Sequence, residues 1–168
     1  MIEDGASLST LAALAELPRA AMEASTLLAA LPMLASAPPG DEHPVLVVPG
    51  FGMDDESTTV LRTYLEPQGY DVHGWGLGAN LDLHSNRGCD DLLERVSSLY
   101  RSTNHKRLSL VGWSLGGVLA RSVARVAPLA TRQVICLGAP IRGSITQTGI
   151  WPAYRSSNPN ADSFSLVE

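Results

Sequence analysis

The stretch Leu108-Ser109-Leu110-Val111-Gly112-Trp113-Ser114-Leu115-Gly116-Gly117 decides the fold. An apolar run enters a short turn bounded by glycines, and the following residues place Leu119, Val123 and Val126 at helical spacing before Pro128. A Gly-x-Ser-x-Gly match is short enough to arise by chance. It acquires meaning here because it lies between a strand pattern and a helix pattern. The turn is so tight that Cβ atoms at Gly112 and Gly116 would collide with neighbouring backbone, and the Ser114 backbone is expected to be strained. It leaves the Ser114 hydroxyl exposed at the start of a helix, where the dipole favours developing negative charge.

Outward from this segment the chain alternates between strand and helix. Val45-Leu46-Val47-Val48 is a continuous apolar run stopped by Pro49-Gly50-Phe51-Gly52, the pattern of a strand buried on both faces of a parallel sheet. Asp54, Glu56 and Ser57 offer caps for a helix carrying Val60, Leu61, Tyr64 and Leu65, ended near Pro67 and Gly69. Tyr70–Leu77 reads as a second strand, Gly78–Gly88 as a loop, and Asp90 or Asp91 as the start of a helix through Leu92, Leu93, Val96 and Leu99. Arg107–Val111 is the third strand and Gln133–Leu137 the fourth, closed by Gly138-Ala139-Pro140. This β-α-β-α-β-α-β order predicts an α/β fold: a mainly parallel sheet of about four strands with helices on both faces. Ahead of it, residues 1–40 read as an Ala- and Leu-rich helical arm broken by Pro18 and Pro32. Residues 41–149 form the core, and 150–168 an irregular tail.

A second feature agrees with the first. Acyl transfer needs backbone N–H groups facing the oxyanion of a tetrahedral intermediate. The residue after the nucleophile, Leu115, supplies one. A glycine-rich turn after a neighbouring strand supplies the other, with the Phe51 N–H the best candidate and Gly52 the second.

From Val45 to about Ser144 the sequence resembles the central part of the α/β-hydrolase fold, and within it the bacterial lipase- and esterase-like proteins. Three segments carry the resemblance. Pro49-Gly50-Phe51-Gly52 stands in the place of the family's oxyanion turn, and Gly112–Gly117 in that of its nucleophile elbow. Leu137-Gly138-Ala139-Pro140-Ile141-Arg142-Gly143-Ser144 is similar to its Gly-Thr-Pro-His-x-Gly-Ser loop. The resemblance implies a spatial order in which the second strand is outermost, followed by the first, third and fourth. It also implies a serine hydrolase acting on carboxylic esters through Ser114.

The family's triad runs Ser, then Asp or Glu, then His along the chain. Here no histidine follows Ser114, and the acids beyond it are Asp162 and Glu168 alone. The base and acid are therefore not carried over, and a truncated hydrolase is the reading that explains their absence. His43 and His105 precede strands and read as solvated residues at the opposite edge from the site, while His73 lies within a strand. His84 leaves the second strand on the carboxyl edge, so it is the one histidine placed to act as a substitute base, oriented by Asp82; the alternative is a plain loop histidine.

Composition narrows the partners. With 12 basic against 17 acidic residues and no basic cluster, nothing suits a nucleic-acid backbone. Cys89 and Cys136 are too few for a zinc site or a disulfide framework, and no cofactor or metal is expected. No apolar run approaches the ~18 residues of a membrane span, and the acidic Met1-Ile2-Glu3-Asp4 start is unlike a secretory signal, so a cytoplasmic location is the default. The expected partner is a small ester or acyl molecule. Self-association through an exposed Gln133–Leu137 edge is a further expectation. The competing reading is a non-catalytic α/β-hydrolase-like protein that binds an acyl ligand or a protein partner. Trp75, Trp113 and Phe51 are candidates for an apolar acyl pocket, although core packing accounts for each equally well.

Overall fold

The computed structural model describes residues 26, 29–30, 32–81, 87–139 and 155–156. The chain divides into two compact units, Met1–Pro39 and Gly40–Glu168. In the first, residues 26, 29–30 and 32–35 are helical, and the helix ends where Ser36 and Ala37 donate back to the carbonyls of Met33 and Leu34.

The second unit is built on four parallel strands: β1 (Pro44–Val48), β2 (Asp71–Gly74), β3 (Leu108–Trp113) and β4 (Thr131–Leu137), in the spatial order β2-β1-β3-β4. Between them run helices α1 (Thr59–Leu65), α2 (Arg87–Ser102) and α3 (Leu115–Val126), with 3-10 turns at Asp55–Thr58 leading into α1 and at Glu66–Gln68 leaving it. Successive residues of a strand face opposite sides, and the core follows that alternation. Leu46, Val48, Leu108 and Leu110 point to one side, where they pack with Leu92, Val96 and Leu99 of α2 and Leu115, Leu119 and Val123 of α3. Val45, Val47 and Val111 point to the other, against Leu61 and Leu65 of α1 with Tyr70 and Val72. The α/β class, the parallel order and the coverage of both faces all agree with the sequence reading.

Several boundaries move, each for a local reason. β2 stops at Gly74 instead of running to Leu77, because the Asp55 carboxylate accepts the N–H groups of Trp75 and Gly76, both at 2.7 Å, and so turns the backbone away from the ladder. β3 runs on to Trp113, since Gly112 still pairs with Val48 on one side and Cys136 on the other. β4 starts at Thr131, and α3 begins at once with Leu115. The helix expected from Asp90 or Asp91 begins earlier, at Arg87. Asp54 does cap, but it caps the 3-10 turn, its carboxylate accepting from Glu56 N–H.

The largest correction concerns His43, expected to be solvated. It does lie at the amino edge of the sheet, but it is buried, with Nε2 2.7 Å from Ser109 Oγ and Nδ1 bonded to Asp41. The register explains the burial. Val45 lies beside Ser109, so the residue ahead of β1 folds over the start of β3. Gln133 donates to the same Ser109 hydroxyl and Arg132 to Asp41, so this polar knot ties the entrances of three strands together.

Candidate active site

β3 and α3 join through Ser114 alone, which has φ 51° and ψ −118°. A side chain at such a backbone angle is strained and persists only where the surroundings enforce it. The surroundings here leave no slack. A Cβ at Gly112 would overlap the backbone of Gly116 and Gly117, and one at Gly116 would overlap the carbonyl oxygens of Val48 and Pro49. The two glycines therefore let α3 sit directly on the end of β1. The turn is braced across the sheet as well, since Ser114 N–H donates to the Leu137 carbonyl at 2.9 Å.

The turn leaving β1 comes up beside Ser114. A Cβ placed on Gly50 would stand 3.5 Å from both the Ser114 Cβ and the Trp113 carbonyl oxygen. Phe51 follows directly, half-buried against the main core cluster. Leu115 is the first residue of α3, so its N–H is one of the initial donors for which a helix provides no internal acceptor. Both segments thus lie at the carboxyl edge of the sheet, on the two central strands, with Ser114 itself half-buried.

The β1 turn is held by one residue absent from the sequence-derived site, Asn80. Its side-chain Nδ2 donates to the Pro49 carbonyl at 2.8 Å, its carbonyl accepts from Gly52 N–H, and its N–H donates to the Met53 carbonyl. An asparagine in a glycine-rich loop reads as a turn former, and only the fold brings it against a segment some thirty residues earlier in the chain.

Of the aromatic pocket candidates, Trp75 belongs to the core, buried with its indole N–H on the Gly78 carbonyl. Trp113 is 42% exposed at the end of β3. Met53, Leu77, Leu81 and Leu137 are also exposed, the first three in the loops that leave β1 and β2 and the last at the end of β4.

His84 and Asp82 lie outside the described residues. The remaining histidines do not approach Ser114: His43 is in the knot at the amino edge, His73 is within β2, and His105 stacks edge-on to Tyr100 ahead of β3. Asp41, His43 and Ser109 do form a hydrogen-bonded Asp-His-Ser chain, the contact order of a catalytic triad. Ser109 is buried and its hydroxyl already accepts from Gln133, so no carbonyl carbon reaches it. Asp41 is held well below the usual carboxylate range, first by its bond to His43 and then by Arg132. Cys89 and Cys136 form no disulfide, and no cluster among the described residues is suited to a metal ion. Among those residues, no helix is long and apolar enough to cross a membrane.

Comparison with known proteins agrees with this architecture. No protein-family model matches the chain. It is 31% identical over 109 residues to a triacylglycerol lipase of Pseudarthrobacter phenanthrenivorans, a match covering 61% of this chain and 34% of that protein. A triacylglycerol lipase of Burkholderia plantarii is likewise 31% identical, over 61% of this chain and 30% of its own length. The chain thus spans about a third of the length of these relatives. Among solved structures, the mature Bacillus licheniformis lipase BlEst2 superposes with a TM-score of 0.55 at 19% identity, covering 71% of this chain and 49% of that one. Paleococcus ferrophilus monoacylglycerol lipase gives 0.53 at 18%, covering 71% and 47%. The four-stranded unit has the fold of the central part of an α/β-hydrolase core, and its sequence is similar to triacylglycerol lipases.

Proposed function

We propose that this chain carries the nucleophile and the oxyanion-binding turns of a carboxylic-ester hydrolase of the esterase or lipase type. In this reading Ser114 Oγ attacks the ester carbonyl carbon. The C–O bond forms, the carbonyl oxygen takes up the negative charge, and the N–H groups of Phe51 and Leu115 donate to it. The observation that carries the reading is the strained backbone of Ser114 at the β3–α3 junction, with the Gly50–Phe51 turn seated against it. A strained serine beside a glycine-rich turn is what a nucleophile next to backbone donors requires. The exposed apolar side chains of Met53, Leu77 and Leu81 in the loops that leave β1 and β2 favour a small ester with an apolar acyl group.

The attack requires a base to accept the Ser114 proton. His84, oriented by Asp82, is the source within this sequence. A histidine in a longer protein, of which this chain would be a part, is the other. Without a base, a dissected serine hydrolase loses on the order of 10⁶ in rate and keeps roughly 10³–10⁴ over water from its oxyanion hole and binding. The 168-residue chain should therefore hydrolyse p-nitrophenyl butyrate only slowly, and Ser114→Ala should remove what turnover there is. Equal turnover in wild type and Ser114→Ala ends the nucleophile reading. A further loss in His84→Ala identifies the in-chain base.

A second reading, a non-catalytic protein that binds an acyl ligand, is favoured by the positions of His43 and His105 at the amino edge of the sheet and of His73 on the outer strand β2. Saturable binding of a fatty acid with no Ser114-dependent turnover would support it.

A further inference from the structure

We propose that Asn80 is a positioning residue: it fixes the Pro49–Met53 turn against the β3–α3 junction and thereby aims the Phe51 N–H at the reacting carbonyl oxygen. The inference rests on the reading of Ser114 as nucleophile and names the device that would keep its oxyanion donor in place.

Three contacts bracket Phe51. Asn80 holds Pro49 ahead of it through the side-chain amide, and Gly52 and Met53 behind it through its own backbone, each at 2.8 Å. The Pro49 carbonyl that accepts the Nδ2 donor is also one of the two that lie against Gly116. One carbonyl is thus pinned between the Asn80 amide and the first turn of α3. The peptide that bears the Phe51 N–H is the next one along, held between this carbonyl and the bonds at Gly52 and Met53.

Asn80 is itself held firmly. The loop leaving β2 is anchored at its start by Asp55, which accepts from Trp75 and Gly76 N–H, and is closed on itself by the Trp75 indole bond to Gly78. Asn80 is 1% exposed, and its Oδ1 accepts no bond among the described residues. A buried acceptor left unmet opposes folding. An amide that carries this cost yet grips a single carbonyl fits a geometric role better than a packing one.

The test compares wild type with Asn80→Asp, which keeps the shape and replaces the donor by an oxygen facing the Pro49 carbonyl. Phosphonylation of Ser114 by a p-nitrophenyl alkylphosphonate builds the tetrahedral oxyanion mimic on the nucleophile, and released p-nitrophenolate reports its rate. We expect Asn80→Asp to react about 10- to 100-fold more slowly at pH 8, with the half-saturating reagent concentration unchanged. Burial raises the new carboxyl's pKa, and once protonated it can donate again. The rate ratio of variant to wild type should therefore climb back towards one as the pH falls to 5. Hydrogen exchange supplies a readout that needs no activity. The Gly52 and Met53 amides should lose protection in the variant while the Leu46 amide in β1 keeps its own. If wild type is phosphonylated and Asn80→Asp matches it at pH 8, the proposal is overturned. If neither reacts, Ser114 has no effective base in this chain, and exchange alone decides whether Asn80 shapes the turn. Unchanged protection at Gly52 and Met53 overturns it in either case.

Discussion

Ser114 occupies a backbone conformation that a glycine would adopt without penalty, so replacing it separates strain from chemistry. A sparsely populated φ, ψ pair stores about 1–3 kcal/mol, while glycine's extra unfolded-state entropy returns roughly 0.5–1. Ser114→Gly should consequently raise stability by about 1 kcal/mol in urea unfolding while abolishing any Ser114-dependent turnover. Equal or lower stability would show that the junction stores no strain. Gly116→Ala should do the reverse, costing about 3 kcal/mol or more, because its Cβ meets main-chain carbonyls that cannot rotate away as a side chain could. The residues of this turn were legible in the sequence, since a tight strand-to-helix turn dictates small residues at fixed offsets. Asn80 and His43 were not. Their partners Pro49 and Ser109 are distant along the chain and become neighbours only once the strand register is set.

At the scale of elements, strand ends are set by side chains that accept or donate where the ladder stops. Apolar runs revealed that β2 exists but not where it ends, because its end depends on Asp55, an acid some twenty residues earlier in the chain. Asp55→Ala should cost about 1.5–3 kcal/mol by leaving two N–H groups without their acceptor, measured again by urea unfolding. The knot at the opposite edge predicts a pH dependence. The folded state holds the Asp41 carboxyl below its ordinary range through His43 and Arg132. The unfolded chain then takes up the proton first as pH falls, so Asp41's stabilising contribution is present above about pH 4 and is lost progressively below it. The difference in melting temperature between wild type and Asp41→Asn should be constant near neutrality and shrink in acid. A gap that widens in acid would reverse the sign and dissociate Asp41 from the knot.

The whole sheet is covered unevenly. Among the described residues, helices α2 and α3 pack across one face, while on the other the cluster around α1 takes in β1, β2 and Val111 of β3 but no residue of β4. In register with Val111 and Trp113 on that second face stand Ile135 and Leu137 of β4, 42% and 40% exposed, with Trp113 at 42%. The run from Val134 to Leu137 is apolar on both sides, as in a strand with neighbours all round, yet among the described residues β4 is an outer strand. Covering a half-exposed apolar side chain of this size is worth about 1 kcal/mol, and three adjoining ones make association worthwhile where an unpaired strand edge also offers a pairing template. We therefore expect the 168-residue chain to self-associate through β4. Sedimentation velocity over a tenfold concentration series should show a rising weight-average mass, and Ile135→Lys should lower it, since a charge on that face must be desolvated in any contact. A single monomeric boundary throughout the series, with wild type and Ile135→Lys alike, would place the cover for this face within the chain itself.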